Sequence, residues 1–326
     1  FKKMRLLKSI FFFITIVACD NSQNSYKPIS SGNIHTITVV MENMLWKSKV
    51  GDHVRKVFAS EFLGLPQQEP LFSLKQISPD IFSDFTRSSR NVLIVLKRNR
   101  DTLRISKNKY AAPQVVVEIL GKNNKEIISQ INLHSLKAIK AFKQGEIKEK
   151  QRRIKKSILE TNELKSRHIN LTLPSAYKVF KKEDLNKLWF QRETEKGSVN
   201  VMVYFIENNK LIDEFNEFKI IKLRDSISKI FVPGRNKNSY MKTEEAYKPY
   251  FFKTTIKGLK TLETRGTWEV VNDYMAGPFL NYIVQDKKNN RLIVMDGFAF
   301  SPSIQKRQYM VELEAIFRSL KVYKKN

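Results

Sequence analysis

The chain has 326 residues, 41% of them hydrophobic, which suffices for one large or two ordinary domains with cores of their own. Its only cysteine is Cys19, so no disulfide can form within the chain and stability must come from packing. The net charge is +27, but the basic residues are 42 Lys and 17 Arg scattered over every segment without a nucleic-acid-binding signature, which argues against a nucleic-acid partner.

The first 18 residues have the organisation of a secretory signal. Basic residues at positions 2, 3, 5 and 8 precede an apolar run from Ile10 to Val17. Lys8 and Cys19 bracket ten residues, whereas a membrane-spanning helix needs roughly 20. The following Ile16-Val17-Ala18-Cys19 resembles a bacterial lipobox. We predict a signal peptide over 1–18 and a lipid on Cys19; an ordinary buried thiol is the alternative.

A flexible tether and a first body follow the predicted cleavage site. Residues 19–32 contain no apolar cluster and would span on the order of 20 Å as a coil. The first body is predicted over 33–134, from strand-like apolar runs and from helical spacings of three and four. The predicted elements are strands over 33–41, 91–96, 103–106 and 114–120, a helix over 53–62 with Asp52 as N-cap, a short helix after Ser78-Pro79, and a helical pattern from Asn123 onward.

Residues 135–167 form the most polar long stretch, with eleven basic and four acidic residues. An approximate apolar stripe from Leu136 to Ile158 predicts one long helix, interrupted or weakened near Gly145. A coiled-coil partner site would need three or four clean heptads, and about two are present. We therefore favour a charged helix that connects two bodies.

The second body is predicted over 168–326. Helices packed on one face of antiparallel strands give an α+β body, and the expected fold class is α+β: two bodies of mostly antiparallel sheet with packed helices, joined by the long charged helix. The predicted strands lie over 167–173, 187–192, 198–206, 266–271, 279–285 and 291–300, and the helical segments lie over 215–230 and after Ser303.

A set of short motifs carries a family resemblance. They are Trp46 with Val50-Gly51-Asp52, Leu65-Pro66-Gln67-Gln68-Glu69-Pro70, Arg90-Asn91, Pro113-Gln114, Thr264-Arg265-Gly266-Thr267-Trp268, Ala276-Gly277-Pro278-Phe279, Asp296-Gly297-Phe298 and Lys306-Arg307-Gln308-Tyr309. Together they resemble the domain of unknown function 4837 family of uncharacterised Bacteroidetes-type lipoproteins, over Asn33 to Lys321. The motifs are structural in character, and the family has no assigned activity to carry over.

The second body is also similar to the PsbP-like fold, an α/β/α arrangement of small binding and assembly proteins. The similarity rests on Leu173-Pro174-Ser175-Ala176-Tyr177, on Leu188-Trp189 and on the closing strand and helix. A likeness at the level of fold implies no function by itself.

The sequence shows no recognisable catalytic constellation. Its four histidines lack metal-binding spacing, and it has neither a Gly-x-Ser-x-Gly elbow nor a phosphate-binding loop. His35 and His168 precede apolar runs and are expected at strand edges or on the surface. We predict a protein that is not an enzyme and has no cofactor and no metal. The alternative is a hydrolase of envelope polymers in which Glu269, Asp286 and Asp296 meet on the terminal sheet; paired glycosidase carboxylates lie within about 10 Å.

Aromatic residues and prolines near predicted turns form a candidate interaction surface. Such residues anchor interfaces, although each taken singly is more typical of a core. The candidates are Trp46, Pro66, Pro70, Trp268, Tyr274, Pro278, Phe279 and Tyr282.

A strong anchor without catalytic residues favours a non-catalytic binding or assembly component of the cell envelope. We expect it to be lipid-anchored on the periplasmic side of the outer membrane, with a protein or envelope polymer as partner. A carrier of a lipid or other ligand is a further alternative, and it requires an apolar cavity of about 300 Å³ or more. The lysine excess is explained first by solvated surfaces and next by attraction to anionic lipid headgroups, roughly 1 kcal/mol per basic residue close to the surface.

Overall fold

The computed structural model describes residues 27–100, 102–184, 187–207 and 212–325, and it contains a five-stranded and an eight-stranded sheet. Cys19 and the predicted signal peptide lie outside the described residues. The first body consists of β1 (Thr36–Val40), α1 (Asn43–Trp46), α2 (Lys49–Phe58), β2 (Ser73–Ile77), α3 (Asp84–Arg87), β3 (Asn91–Lys97), β4 (Thr102–Lys107), β5 (Val115–Gly121) and α4 (Asn124–Ile154).

The five-stranded sheet has the order β2-β1-β3-β5-β4. Its pairings β1 with β2, β1 with β3 and β3 with β5 are parallel, and β4 with β5 is antiparallel. The expectation of a mostly antiparallel sheet was therefore wrong for the first body. Helices α1 and α2 lie between β1 and β2 and return the chain to the same end of the sheet, which is the connection that parallel strands require.

Helix α4 does more than connect two bodies, and its bounds differ from the predicted 135–167. Its first half packs on the five-stranded sheet through Ile131 and Phe142. Its second half reaches the second body, where the Gln151 side chain donates to the carbonyl of Ala315 (2.9 Å). The helix is continuous through Gly145. A Cβ at this position would lie 2.9 Å from Val115 Cγ2. Glycine at this position thus permits close packing on β5 and does not interrupt the helix.

The second body is built on the eight-stranded sheet, whose pairings are all antiparallel. The α+β class is confirmed. The elements are α5 (Asn162–Lys165), β6 (Ile169–Asn170), β7 (Lys178–Asp184), β8 (Lys187–Thr194), β9 (Gly197–Glu207), α6 (Glu217–Phe231), β10 (Met241–Thr243), β11 (Tyr250–Ile256), β12 (Leu259–Val270), β13 (Ala276–Asp286), β14 (Arg291–Phe300), α7 (Arg307–Phe317) and β15 (Lys321–Val322). In the part of the chain with described coordinates, we find no helix that is both long and apolar enough to cross a membrane.

Helices cover both faces of the eight-stranded sheet. Helix α7 packs on one face through Leu313 and Phe317, and α6 packs on the other through Ile220. The core under α7 also takes in Ile34 and Phe62 of the first body. The two bodies therefore meet on the α7 face through a shared hydrophobic core.

Candidate functional site

A groove lies between the two bodies, where segment 60–71 faces strands β11 and β12. It contains two cavities whose linings share Glu61. The lysine cavity, named after Lys143, has a volume of about 570 Å³. The tyrosine cavity, named after Tyr247 and Tyr250, has a volume of about 750 Å³. Both volumes lie within the range of known ligand sites, roughly 300–1,000 Å³.

Segment 60–71 is fixed to the second body by Glu69. The carboxylate is 5% exposed and accepts hydrogen bonds from the backbone N–H groups of Lys306 (2.5 Å) and Arg307 (3.2 Å), where α7 begins. A negative charge at this end of a helix interacts favourably with the helix dipole. The Arg307 guanidinium donates in return to the carbonyl of Pro70. The groove wall is therefore held by the same helix that covers the sheet.

Gly64 brings this segment into direct contact with β12. Its φ is +85°, and a Cβ at this position would lie 2.8 Å from Cβ of Arg265. Glycine adopts this backbone conformation without steric cost and leaves room for the neighbouring strand. The wall of the groove can consequently lie directly on Arg265.

Five buried or half-buried polar side chains of β12, β13 and α7 form a charged cluster at the lysine cavity. The Arg265 guanidinium donates to Glu263 (2.6 Å) and to Glu314 (2.6 Å). Arg318 donates to the same two carboxylates at 3.3 and 2.8 Å. The hydroxyl of Tyr282 donates to Glu263 (2.8 Å). The local sequence explains this convergence, since residues two apart share a face of a strand and residues four apart share a face of a helix.

The cluster keeps Glu314 ionised and the phenol of Tyr282 neutral. Burial by itself would raise the pKa of Glu314, but Arg265, Lys143 and Arg318 outweigh it and hold that pKa well below its ordinary value. Burial, followed by the charges of the two carboxylates, raises the pKa of Tyr282 well above its ordinary value. The Tyr282 hydroxyl therefore acts as a hydrogen-bond donor and not as a base.

Lys143 of α4 faces the same cavity and makes no hydrogen bond or ion pair with any residue that the structure describes. Burial lowers the pKa of its amine, an effect that the charge of Glu314 opposes. When Lys143 is protonated, it adds a third positive charge to those of Arg265 and Arg318, whereas Glu263 and Glu314 carry two negative charges. Lys143 and the charged cluster together then have one positive charge in excess.

The walls of the groove are apolar and partly open to solvent. Phe62, Leu63, Leu71 and Phe252 line the lysine cavity, and Phe252 is 40% exposed. The tyrosine cavity continues this surface with Tyr247, which is 65% exposed. Contiguous exposed apolar side chains mark sites of interaction more often than single ones do.

A second buried arginine lies on the opposite face of the sheet. Arg224 of α6 is 1% exposed and donates to Asp296 (3.1 Å) and to the Thr243 hydroxyl (3.0 Å). Its guanidinium carbon lies 3.8 Å from the ring centroid of Phe279. Neither Arg224 nor Asp296 lines the groove. We assign this cluster to the packing of α6 on the sheet.

Half of the predicted interaction surface is buried, so the prediction was wrong for those residues. They are Trp268, Pro278, Phe279 and Tyr282. The physical reason is that helices cover both faces of the sheet, which leaves these strand residues no solvent face. Tyr282 belongs instead to the charged cluster.

The remaining predicted residues are accessible but do not form one surface. Pro66 lines the tyrosine cavity, and Pro70 is exposed at the end of the same segment. Arg55 lies over the ring of Trp46 at 4.4 Å from its centroid. Tyr274 is fully exposed at the turn between β12 and β13. Only the two prolines therefore lie in the segment that borders the groove.

The three acids predicted for the hydrolase alternative do not meet. Asp296 pairs with Asn281, which lies five residues from Asp286 on β13. At about 3.4 Å per residue this separates the two acids by about 17 Å, and the odd spacing places them on opposite faces. Glu269 pairs with Ala276 at the far end of the same strand. The predicted carboxylate site was therefore wrong.

His35 is buried, and its expected edge or surface position was also wrong. Its ring stacks on Phe72 with 5.1 Å between centroids, and its Nδ1 atom lies 2.9 Å from the carbonyl oxygen of Leu71. Burial lowers the pKa of His35 from 6.5 to about 4, against the opposing effect of that hydrogen bond. The ring is therefore neutral at pH 7 and adjoins the end of segment 60–71.

The convergence of Lys143, Arg265 and Arg318 at one cavity was not predicted from the sequence, because these residues lie far apart along the chain. One signal was present in α7. Glu314 follows Met310 by four residues and precedes Phe317 by three, so it lies within the apolar stripe. A charge in such a stripe requires a buried partner.

Two family models match adjacent parts of the chain. The model described as Domain of unknown function (DUF4837) matches residues 157–319, which is half of the chain. A second model, Domain of unknown function (DUF8532), matches residues 30–155. The resemblance predicted over Asn33 to Lys321 is thus confirmed for the second body, and the motifs of the first body fall within the other model. None of the curated proteins matches the sequence.

Several solved structures are similar to about half of the chain. LpqN of Mycobacterium tuberculosis, described as involved in cell envelope biogenesis, is 9% identical with a TM-score of 0.30, over 48% of this chain and 83% of that chain. The Ran-binding protein Mog1p of Saccharomyces cerevisiae is 10% identical with a TM-score of 0.33, over 52% and 97%. Cyanobacterial PsbP of Synechocystis sp. PCC 6803 is 11% identical with a TM-score of 0.33, over 50% and 89%. Likenesses of this size carry no argument about function.

Proposed function

The chain belongs to the family described as domain of unknown function 4837, and from that premise we propose that it is a non-catalytic binding component of the cell envelope. A lipid on Cys19 tethers it to a membrane, and the groove between its two bodies is the binding surface. Its partner is a ligand, a protein or an envelope polymer that enters this groove.

The tether is supported by the order of features at the N-terminus. A basic segment, a short apolar run and a lipobox-like Ile16-Val17-Ala18-Cys19 precede a polar linker. The described chain begins to pair soon afterwards, at Ile29 and Ser31. This short spacing supports a folded body held next to the membrane surface. We propose the periplasmic side of the outer membrane as its location.

The observation that carries the binding role is the groove itself. It combines two cavities of ligand-site volume, exposed aromatic walls and Lys143, a cation that no described residue neutralises. The acids of the charged cluster are held by arginines at 2.6 to 3.3 Å. Acids that are already ion-paired with arginines are better suited to recognise a ligand than to transfer a proton.

Cell fractionation tests the tether. A Cys19→Ala variant removes the only thiol that can be acylated, so we expect it to leave the membrane fraction and appear in the soluble fraction. A Ser22→Ala variant changes the linker but not the lipobox and is expected to stay membrane-bound. A Cys19→Ala variant that remains in the membrane would contradict the lipid tether.

Amine-reactive cross-linking in native cells, followed by mass spectrometry, tests the groove. Lys248 and Lys253 line its two cavities, whereas Lys229 is carried by α6 on the opposite face of the sheet. We expect links to partners to concentrate at the first two lysines. Links that fall mainly on Lys229 would show that the groove is not the binding surface.

A further inference from the structure

The charge and shape of the lysine cavity define the class of ligand that fits it. We propose that this cavity binds one single-chain amphiphile with a singly charged carboxylate headgroup, a molecule of the fatty-acid type. This inference rests on the proposed binding function and specifies its ligand.

The headgroup is defined by the excess charge of the cluster. Arg265 and Arg318 each contact both carboxylates at 3.3 Å or less, whereas Lys143 contacts none of the described acids. Lys143 is half-buried. An ammonium that is partly removed from water and lacks a partner is less favourable than a paired one. One bound monoanion at Lys143 would supply that partner and neutralise the cluster.

A more highly charged headgroup fits less well. Glu61, Glu263 and Lys253 also line the cavity, and the opposite charges of Glu61 and Lys253 leave the excess at one positive charge. A phosphate with two negative charges would leave the site with negative charge in excess beside these acids, and like charges at short range repel. The lining therefore favours a carboxylate over a phosphate monoester.

The apolar part of the ligand is defined by the walls. Phe62, Leu63 and Leu71 come from the first body, and Phe252 comes from the second. Phe62 is already buried, but Leu63 and Phe252 are 36% and 40% exposed. An inorganic anion would leave these two side chains in contact with water, whereas an alkyl chain would cover them. The ligand would contact both bodies, and its binding would reinforce their association.

The test is isothermal titration of the full-length chain with decanoate, below its micellar concentration. Decanol and decyltrimethylammonium serve as probes with the same chain length and no negative charge. We expect one decanoate per chain, bound at least tenfold more tightly than decanol, and no saturable binding of the cationic probe.

Variants locate the binding in the cavity. Lys143→Met keeps the length of the side chain but removes the charge, and it is expected to weaken decanoate binding at least tenfold without changing the affinity for decanol. Lys140→Met lies one turn earlier on the exposed face of α4 and is expected to leave both affinities unchanged. Thr254→Trp fills the cavity and is expected to abolish binding of both probes.

Three results would overturn the proposal: no saturable decanoate site, equal affinity for charged and uncharged probes, or equal decanoate affinity in the wild type and Lys143→Met. Because all variants share the same N-terminal region, binding there cancels in the comparison. A negative result would overturn the fatty-acid ligand but not the proposed groove partner, which the cross-linking experiment tests separately. Conversely, if decanoate binds but no protein or polymer is cross-linked in the groove, the proposed assembly role would be wrong and the ligand site would still be supported.

Discussion

Two buried arginines on opposite faces of one sheet have opposite surroundings. Arg224 lies under α6, where Asp296 and Thr243 bind it and the ring of Phe279 covers it. Arg265 lies under segment 60–71 beside a cavity of about 570 Å³, and its cluster contains Lys143 without a described partner. The first arrangement is closed by its own residues, whereas the second contains a cation without an ion pair. This difference is the one expected between a structural charge cluster and the binding site that we propose, although both contain a buried arginine.

The largest loss of stability is expected for a substitution in the Arg224 cluster under α6, which is closed by its own residues. Arg224→Met leaves Asp296 buried without its cation, which should lower the free energy of unfolding by about 3–5 kcal/mol in chemical denaturation. A double variant with Asp296→Leu should recover most of this loss. Arg235→Met, which removes an ion pair with Asp273 whose arginine is 74% exposed, should cost less than about 1 kcal/mol. An Arg224→Met cost as small as that control would show that the α6 face is not closed.

A pH dependence is expected next, at the edge of the groove. The unfolded chain binds a proton at His35 near pH 6.5, whereas the folded chain does so only near pH 4. Stability is therefore fully present above pH 6.5 and falls as the pH decreases towards 4, with about 2 kcal/mol lost between pH 7 and pH 5. His35→Asn removes this titration and tolerates the local φ of 55°. Equal losses in the wild type and His35→Asn, by denaturation at both pH values, would rule out this assignment.

The link between the bodies should have a smaller effect. Glu69→Gln keeps the shape of the side chain but removes the charge that caps α7, so we expect the free energy of unfolding to fall by about 1–2 kcal/mol. Glu61→Gln is the matched control, because Glu61 lies on the same segment but is exposed. If the two variants are equally stable, the carboxylate of Glu69 does not hold the groove wall.

The smallest change in stability, in the opposite direction, is expected for a substitution of Lys143 at the lysine cavity. Lys143→Met removes a half-buried cation that has no described partner, so the free energy of unfolding should be unchanged or rise by up to about 1 kcal/mol. Arg224→Met on the closed side should be strongly destabilising. A loss of more than about 1 kcal/mol for Lys143→Met would mean that the cavity cluster is already complete, and the contrast between the two faces would fail.

The sequence predicts those parts of the fold whose signal is local. Strands β3, β13 and β14 were found because they are continuous apolar runs, and α7 because its apolar residues recur at helical spacing. Strand β2 was not predicted, because apolar and polar residues alternate only weakly in Ser73–Ile77. Most residues of this strand are half-buried in the structure. The parallel order of the first sheet was missed because pairing depends on how helices return the chain, which no single segment encodes.

The family motifs contain more of the chemistry than their pattern reveals. Glu69, Arg90, Arg265, Asp296 and Arg307 all come from motifs that carry the resemblance, and all are buried. Apart from Glu263, which is two residues from Arg265, their charged partners lie tens to hundreds of residues away, so their roles as a helix cap and in ion pairs cannot be derived from spacing. Lys143 lies outside those motifs, in the stretch that was predicted as a charged connecting helix. Its place at the cavity depends on the packing of α4 between the two bodies.

Photo-cross-linking in living cells tests most directly the claim that the groove is the binding surface. A photoreactive residue would replace Tyr247 in the groove, and in a second strain Ile230 on α6, which is 68% exposed. We predict a discrete cross-linked species from position 247 and none from position 230. Adding Cys19→Ala should remove that species from the membrane fraction. Equal cross-linking from both positions, or cross-linking from position 230 alone, would contradict it.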